Sequence, residues 1–283
     1  MKIARLGNPD EERPAVLGPG GSILLLPSKW GDIDSMFWQK NRISEIVALL
    51  ESESLEALPD AELRFGAPIA KPEKVICIGL NYSDHATESG ASIPDEPIVF
   101  MKAPNCIVGP NDQILVPRGS TKTDWEVELG VVIGSRARYL SSPDESSAYI
   151  AGYCISHDVS EREFQLERGG QWDKGKCCET FNPLGPLLVT VDEIEDPQNL
   201  RLHLSVNGVL RQDGSTFDMI FGVNYIVWYL SQFMVLEPGD LINTGTPAGV
   251  SLGHDDVPFL RKGDVVELSI SGLGTQRSVI GQA

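Results

Sequence analysis

The sequence predicts an α+β fold that is rich in β-structure. Short apolar runs bounded by turn residues recur along most of the 283 residues, which is typical of strands in a mainly β protein. Two turns, Glu237–Asp240 and Arg261–Asp264, end in Gly-Asp directly before such a run. The clearest long helix follows Asp218, where apolar residues recur with helical spacing.

The first 70 residues predict a small N-terminal α/β domain. Its expected elements are strands at Lys2–Leu6 and Ile23–Leu26 around a glycine-rich turn, and a helix near Arg42–Leu50. The acidic, proline-containing stretch Glu51–Pro72 then ends this unit. We therefore expect one domain at residues 1–70 and a larger one at residues 71–283.

The larger domain is expected to be built mainly from strands. They are predicted at Val75–Gly79, Ile98–Met101, Leu241–Thr244 and Val265–Ile270. Asp218 is predicted to cap the long helix, because apolar residues keep helical period from Ile220 to Met234. We interpret this helix as part of the core.

The charge balance excludes several classes of partner. The net charge is −17 at pH 7, so a nucleic-acid surface, which needs basic patches, is not expected. No apolar stretch reaches the length of a signal peptide or a membrane span. The five cysteines lack the spacing of a metal site, and reduced thiols fit the cytosol. We expect a cytoplasmic protein without nucleic-acid or membrane partners.

The stretch Asp124–Gly134 carries the first candidate chemistry. Side chains alternate along a strand, so Glu126 and Glu128 project from one face while apolar residues occupy the other. Two carboxylates in proximity favour either a hard divalent metal or an exposed acidic edge. The unbroken apolar run Leu129–Ile133 carries the strand into the interior, which favours the metal.

Asp158 is the candidate third ligand. It lies three residues after the apolar run Tyr149–Ile155 and 30 residues beyond Glu128, a separation long enough for a return strand. Three carboxylates would suit magnesium, manganese or calcium. The alternative is that Asp158 caps a helix. His157 beside it is interpreted as a packing or solvent-facing residue and not as a ligand.

A second segment, Gly79–Gly90, contains His85 and Glu88, which are three residues apart and would share one face of a short helix. A histidine polarised by a carboxylate is a suitable base for activating water. The alternative is an inert pair on the surface. The polar segment Ser89–Pro97 that follows is expected to act as a lid.

A third segment, Gly170–Cys177, fits G-x-x-x-x-G-K but ends in cysteine. A phosphate loop needs a serine or threonine hydroxyl at that position, so nucleotide binding is not expected. Lys176 remains a candidate for stabilising a developing oxyanion.

Together these segments resemble the fumarylacetoacetate hydrolase family over about residues 70–275. The matching stretches, in the family's order, are Gly79-Leu80-Asn81-Tyr82 with His85 and Glu88, Trp125–Leu129, Asp158-Val159-Ser160 with Arg162 and Gln165, Gly170-Gln171-Trp172 with Gly175-Lys176, and Leu241–Val250. The resemblance implies a mixed β-sandwich roll preceded by a small N-terminal domain, assembled as a homodimer.

The resemblance also implies a role for each matched residue. Glu126, Glu128 and Asp158 would bind Mg²⁺ or Mn²⁺, His85 with Glu88 would activate water, and Lys176 would face the oxyanion. The residues expected around a bound 2-oxo acid are Tyr82, Arg162, Gln165 and Thr246.

The implied reaction is hydrolysis of the carbon–carbon bond of a 2,4-diketo acid, such as an acylpyruvate, fumarylpyruvate or a diketo-deoxy sugar acid. Its products would be pyruvate and a carboxylic acid. The alternatives at the same metal site are oxaloacetate decarboxylation and a 2-hydroxyhepta-2,4-diene-1,7-dioate isomerase-type reaction. A metal-stabilised binding protein without catalysis is a third possibility.

Overall fold

Two β-sheets packed face to face form the body of the protein. The computed structural model describes residues 1–58, 63–88, 90–254 and 256–283. A ten-stranded mixed sheet covers one side and a five-stranded sheet the other, with apolar side chains of both in one core cluster. The predicted β-rich α+β class and its sandwich architecture are confirmed.

The first part of the chain contains four strands and two helices in the described residues. They are β1 (Lys2–Leu6), β2 (Arg13–Leu17), β3 (Ile23–Leu25), α1 (Ser35–Gln39), α2 (Arg42–Glu51) and β4 (Glu56–Ala57). The predicted strand at Lys2–Leu6 and the helix near Arg42–Leu50 are both present. Part of the predicted linker, residues 59–62, lies outside the described residues.

The rest of the chain contains the other strands and helices. They are β5 (Val75–Gly79), α3 (Ser83–Glu88), β6 (Ile98–Lys102), β7 (Ile107–Val108), β8 (Ile114–Val116), β9 (Thr123–Asp124), β10 (Val127–Ile133), β11 (Ile150–His157), β12 (Ser160–Glu161), α4 (Asp173–Lys176), β13 (Asn182–Pro183), β14 (Leu188–Thr190), β15 (Arg201–Val206), β16 (Val209–Ser215), α5 (Val223–Ser231), β17 (Leu241–Asn243), β18 (Val265–Ile270) and β19 (Gly274–Gln282).

The large sheet joins both parts of the chain. Its strand order is β4-β3-β2-β1-β14-β11-β10-β17-β5-β6, and the five-stranded sheet has the order β16-β15-β18-β19-β8. Strand β1 pairs with β14 through Lys2↔Val189. The proposed boundary near residue 70 therefore divides two parts of one hydrogen-bonded sheet.

Two sequence predictions are wrong in detail. The strand expected through Asp124–Gly134 is interrupted at Trp125 and Glu126, leaving β9 and β10 as separate strands. The long helix is not capped by Asp218, which lies in a 3-10 turn at Thr216–Asp218. It begins at Val223, whose backbone N–H donates to the side chain of Gln198 at 2.6 Å. The Gln198 side chain therefore satisfies a backbone N–H at the helix N-terminus, as an N-cap residue would.

In the part of the chain that the structure describes, no helix is both long and apolar enough to cross a bilayer.

Candidate functional site

Three carboxylates converge at one end of the central strand pair. Strands β10 and β11 are antiparallel with Val127 opposite His157, so Glu126 just before β10 meets Asp158 just after β11. The backbone N–H of Asp158 donates to the carbonyl of Glu126 at 3.0 Å. Glu128 returns to the same face two residues later. Oxygen atoms of the three carboxylates lie within 4.8 Å of one another, and all three residues are buried.

At the break between β9 and β10, side chains and backbone groups form hydrogen bonds outside the strand ladder. The indole N–H of Trp125 donates to the carbonyl of Gly249 at 3.0 Å, and the N–H of Val127 donates to the side chain of Gln212 at 2.9 Å. These contacts replace ladder bonds. They leave Glu126 at a bend beside Asp158, so neither Asp158 nor the glutamates occupies a helix cap or an exposed edge.

Glu128 lacks a cationic partner among the ion pairs of the described residues. Its carboxylate accepts one backbone hydrogen bond, from Gly245 at 2.8 Å. Burial, with Asp158 and Glu126 nearby, raises the pKa of Glu128 well above its usual value. A buried carboxylate beside two others is a suitable place for a divalent cation.

Glu126 is in the opposite situation. Lys176 Nζ lies 2.7 Å from one of its oxygens, and a guanidinium nitrogen of Arg162 lies 2.7 Å from the other. Burial alone would raise the pKa of Glu126, but the two cations outweigh burial and lower the pKa to about 2. Glu126 is therefore ionised at every pH at which the protein is expected to work.

Lys176 also contacts Asp158, at 3.0 Å, so that its ammonium bridges two of the three carboxylates. This lysine ends the short helix α4 and is 2 % exposed. It lies at the carboxylate cluster, and its predicted role towards an oxyanion stays a prediction.

Lys102 is a site residue that sequence reasoning missed. Its Nζ lies 2.6 Å from the second oxygen of Asp158 and donates to the carbonyl of Val159 at 3.1 Å. Burial opposes the charge of Lys102, yet Asp158 keeps its pKa raised above the usual value. In the sequence, Lys102 is marked only by its place directly after the predicted apolar strand Ile98–Met101. In the structure, Lys102 is the last residue of that strand.

A cavity of about 200 Å³ opens beside the carboxylates. Its apolar side includes Ile78, Phe100, Leu166, Trp172 and Leu252, and its polar side is formed by His85, Glu126, Glu128, Gln165, Lys176 and Thr246. Burial lowers the pKa of His85 from its usual value. The imidazole is therefore neutral at pH 7, as a general base must be.

The predicted substrate-binding residues fall into two groups. Gln165 and Thr246 line the cavity. Arg162 lies behind it, with donors to Gln165 at 3.1 Å and to Asp124 at 2.9 Å. Tyr82 is fully buried, and its hydroxyl has no hydrogen-bond partner among the described residues. Contact of Arg162 or Tyr82 with a substrate stays a prediction.

Glu88 contacts the loop after β17. Its carboxylate accepts the N–H of Gly249 at 2.6 Å and lies 3.3 Å from His254 Nε2. Burial, the largest influence, raises its pKa. The proposed pairing of Glu88 with His85 stays a prediction.

The segment predicted to act as a lid follows α3. Its first residue, Ser89, lies outside the described residues. Ala91 lines the cavity, and Glu96 accepts a hydrogen bond from the Tyr229 hydroxyl at 2.8 Å. The segment thus connects the cavity with helix α5, while its movement stays a prediction.

Comparison with known proteins assigns this site to a family. Residues 74–280 match the family described as "Fumarylacetoacetate (FAA) hydrolase C-terminal". The chain belongs to the fumarylacetoacetate hydrolase family. A Burkholderia multivorans protein with a provisional hydrolase name is 48 % identical over 279 residues, which cover 98 % of this chain and 97 % of that protein.

Two solved structures of named enzymes align with the whole chain. One is 2-hydroxyhepta-2,4-diene-1,7-dioate isomerase from Mycobacterium marinum, at 33 % identity and a TM-score of 0.77, covering 100 % of this chain and 98 % of that one. The other is maleylpyruvate hydrolase from Sphingobium sp. SYK-6 in complex with manganese(II) and pyruvate, at 26 % identity and a TM-score of 0.81, with both chains fully covered. The protein is thus an enzyme of the fumarylacetoacetate hydrolase family.

Proposed function

We propose that this protein hydrolyses the carbon–carbon bond of a 2,4-diketo acid with the help of Mg²⁺ or Mn²⁺, giving pyruvate and a carboxylic acid. The observation that carries the proposal is the cluster of Glu126, Glu128 and Asp158, whose two glutamates line a cavity together with His85 and Lys176. The maleylpyruvate hydrolase that resembles this chain was crystallised with manganese and pyruvate, which supports both the metal and the product.

The donor chemistry fits a hard divalent cation. All three candidate ligands offer carboxylate oxygens, which Mg²⁺ and Mn²⁺ prefer, and among the described residues Glu128 forms no ion pair with a cation. When bound, the ion would supply the positive charge that stabilises an enolate leaving group.

Counting charges explains how an acidic protein can hold an acidic substrate. When ionised, the candidate metal centre and the ion pairs around it comprise four carboxylates, those of Asp124, Glu126, Glu128 and Asp158, and three cations, those of Lys102, Arg162 and Lys176. Four negative and three positive groups leave a net charge of −1. A divalent ion changes this to +1, which matches the single carboxylate of an acylpyruvate. The site can therefore take an anion although the whole chain carries −17.

In the proposed reaction His85 removes a proton from water, and the resulting hydroxide attacks the distal carbonyl at C4. The bond between C3 and C4 then breaks, and its electron pair becomes the enolate of pyruvate. The Lys176 ammonium, which already contacts two carboxylates, supplies a nearby positive charge as the oxyanion develops. Glu88 would orient His85, and a proton returned to C3 completes pyruvate.

The cavity limits the size of the substrate. A volume of about 200 Å³ admits a small diketo acid. Trp172 and Phe100, whose ring centroids lie 5.4 Å apart, offer an apolar wall for the acyl group. The side-chain amide of Gln165, whose oxygen accepts from Arg162, can donate a hydrogen bond to the polar end, whereas the Thr246 hydroxyl already donates to the carbonyl of Val127 at 2.9 Å.

A second candidate function keeps the site and changes the reaction. The isomerase from Mycobacterium marinum is 33 % identical to this chain, which favours a hydroxy-diene dicarboxylate isomerase as the alternative, with oxaloacetate decarboxylation as a related one. Neither reaction needs an attacking water. The buried, neutral His85 on the cavity wall supports hydrolysis.

A substrate panel tests the proposal. Acylpyruvates, fumarylpyruvate, oxaloacetate and a hydroxy-diene dicarboxylate are followed by loss of enol absorbance, with Mg²⁺ and with chelator. We expect metal-dependent turnover of at least one diketo acid, its loss in His85→Ala, and normal activity in His203→Gln, a variant of an exposed histidine on β15. Turnover of oxaloacetate alone would replace the proposal with the decarboxylase.

We also propose a cytosolic homodimer that uses the outer face of α5. Residues 219–236 contain no charged side chain, and their outward aromatic rings stack in succession: Phe221 on Tyr225, Tyr225 on Tyr229 and Tyr229 against Phe233. Phe233 is 67 % exposed, and a second copy could cover this mainly apolar face, beside which Glu96 accepts a hydrogen bond from the Tyr229 hydroxyl. The five free cysteines support a reducing compartment.

Sedimentation equilibrium tests the dimer. We expect a dimer for the wild-type protein and dissociation in Phe233→Lys. A monomer at micromolar wild-type concentration would contradict the proposal.

A further inference from the structure

Asp124 is a buried acid outside the proposed ligand set, and both its oxygens are fully used. One oxygen accepts backbone hydrogen bonds from Trp125 at 2.9 Å and Ser251 at 2.8 Å. The other accepts the N–H of Leu252 at 2.9 Å and Arg162 Nε at 2.9 Å. Asp124 has no exposed surface. Four donors to one buried carboxylate fix its position.

On one side, Asp124 reaches a proposed metal ligand through Arg162. The guanidinium that donates to Asp124 through Nε places another nitrogen 2.7 Å from Glu126. Arg162 is 3 % exposed, so its charge is shared between the two carboxylates and hardly screened by water. Asp124 therefore limits how strongly Arg162 competes with a metal for Glu126.

On the other side, Asp124 holds the loop Gly249–His254. Two successive backbone N–H groups of this loop, at Ser251 and Leu252, bind the carboxylate. Leu252 lines the cavity, and the N–H of Gly249 donates to Glu88. The loop thus joins Asp124 to the helix that carries His85.

We propose that Asp124 is a positioning residue for the metal site: it orients Glu126 through Arg162 and fixes the cavity loop against Glu88. It touches neither the cation nor the substrate. The inference rests on the proposed metal-dependent function, and it assigns the buried acid of β9 a role that the three ligands leave open. Groups that support metal ligands in this way typically change metal affinity by about 10- to 100-fold when replaced.

The test measures Mn²⁺ binding to the metal-free protein by isothermal titration calorimetry. In Asp124→Asn the amide cannot accept all four hydrogen bonds, and of the two carboxylates that Arg162 contacts in the described residues only Glu126 remains. We expect Mn²⁺ affinity to fall by about 10- to 100-fold, and the amides of Ser251 and Leu252 to exchange hydrogen faster.

Asp240→Asn is the matched control. Asp240 is also fully buried, accepts backbone hydrogen bonds from Lys74 and Glu237, and pairs with the Lys74 ammonium at 2.7 Å. It lies at the far end of β10 from the carboxylates, next to Leu241, which pairs with Val132. We expect this variant to lose stability and to bind Mn²⁺ as the wild type does.

Mn²⁺ affinity unchanged in Asp124→Asn, or reduced equally in Asp240→Asn, would overturn the proposal. If Asp124→Asn does not fold, Asp124→Glu takes its place: it keeps the charge but displaces the carboxylate from Ser251 and Leu252, so a several-fold weaker affinity is expected and an unchanged one refutes the role. Absence of Mn²⁺ binding in the wild type would instead refute the metal-dependent function itself.

Discussion

Glu126→Gln and Glu128→Gln, the two glutamine substitutions at the candidate metal centre, should change the stability of the metal-free protein in opposite directions. Glu126 is held by Lys176 and Arg162, whereas the one hydrogen-bond donor to Glu128 in the described part of the chain is the backbone N–H of Gly245. Removing the charge of Glu126 leaves two buried cations less compensated. Removing the charge of Glu128 ends its electrostatic repulsion with the carboxylates of Asp158 and Glu126 in a buried site.

The magnitudes follow from the pKa of each group. Glu126 has its pKa lowered from 4.5 to about 2, which stabilises the fold by about 3 kcal/mol above pH 4.5 and is lost as the pH falls through 2. The pKa of Glu128 is raised, so this residue begins to destabilise the folded state as the pH rises above the usual value of 4.5. Protonation limits that cost to about 3 kcal/mol at pH 7.

Chemical denaturation at pH 7 with chelator present measures both effects. We expect the free energy of unfolding to fall by about 3 kcal/mol in Glu126→Gln and to rise, by at most about 3 kcal/mol, in Glu128→Gln. With excess Mn²⁺, the wild type should gain stability and both variants should lose most of that gain. A change in the same direction for both metal-free variants would refute the assignment of ion pairs in this cluster.

Three further changes test other parts of the site. His85→Ala should reduce turnover by at least about 100-fold and leave the Mn²⁺ affinity unchanged. In the wild type, kcat/KM should fall at acidic pH, because only the neutral imidazole accepts a proton. The fall should lie below the usual histidine pKa of 6.5, because burial lowers the pKa of His85. Lys102→Met should destabilise the fold by about 3 kcal/mol in denaturant titrations, since it leaves Asp158 without its 2.6 Å partner. Gly249→Ala should lower the melting temperature far more than Gly263→Ala: both glycines have a positive φ, but only at Gly249 would the new Cβ lie 1.9 Å from a backbone oxygen, whereas at Gly263 it meets open space.

The carboxylate cluster could be predicted from the sequence because it depends on local rules. Alternation, expected for a strand through Asp124–Gly134, predicts Glu126 and Glu128 on one face, and the two carboxylates do meet although β10 begins only at Val127. An apolar run ending in Asp158 indicates a strand end close to them once β11 returns beside β10. Lys176 and His85 were found as motif residues, and both line the cavity.

The missed features depend on partners far away in the chain. Lys102 meets Asp158 across 56 residues, and nothing in the local pattern distinguishes it from a solvated lysine at a strand end. Asp124 owes its position to Leu252, 128 residues later. The helix after Asp218 starts at Val223 because Gln198 supplies the acceptor. Such contacts override local preference for caps and strand continuity.

One measurement tests the central claim directly: hydrolysis of an acylpyruvate in ¹⁸O-labelled water, with product analysis by mass spectrometry in the presence of Mn²⁺ and in the presence of chelator. We expect pyruvate and carboxylic acid in equal amounts, one ¹⁸O atom incorporated into the carboxylate of the acid, and loss of the reaction with chelator. Turnover that is undiminished by chelator, or that yields a product with the carbon–carbon bond intact, would contradict metal-dependent hydrolysis.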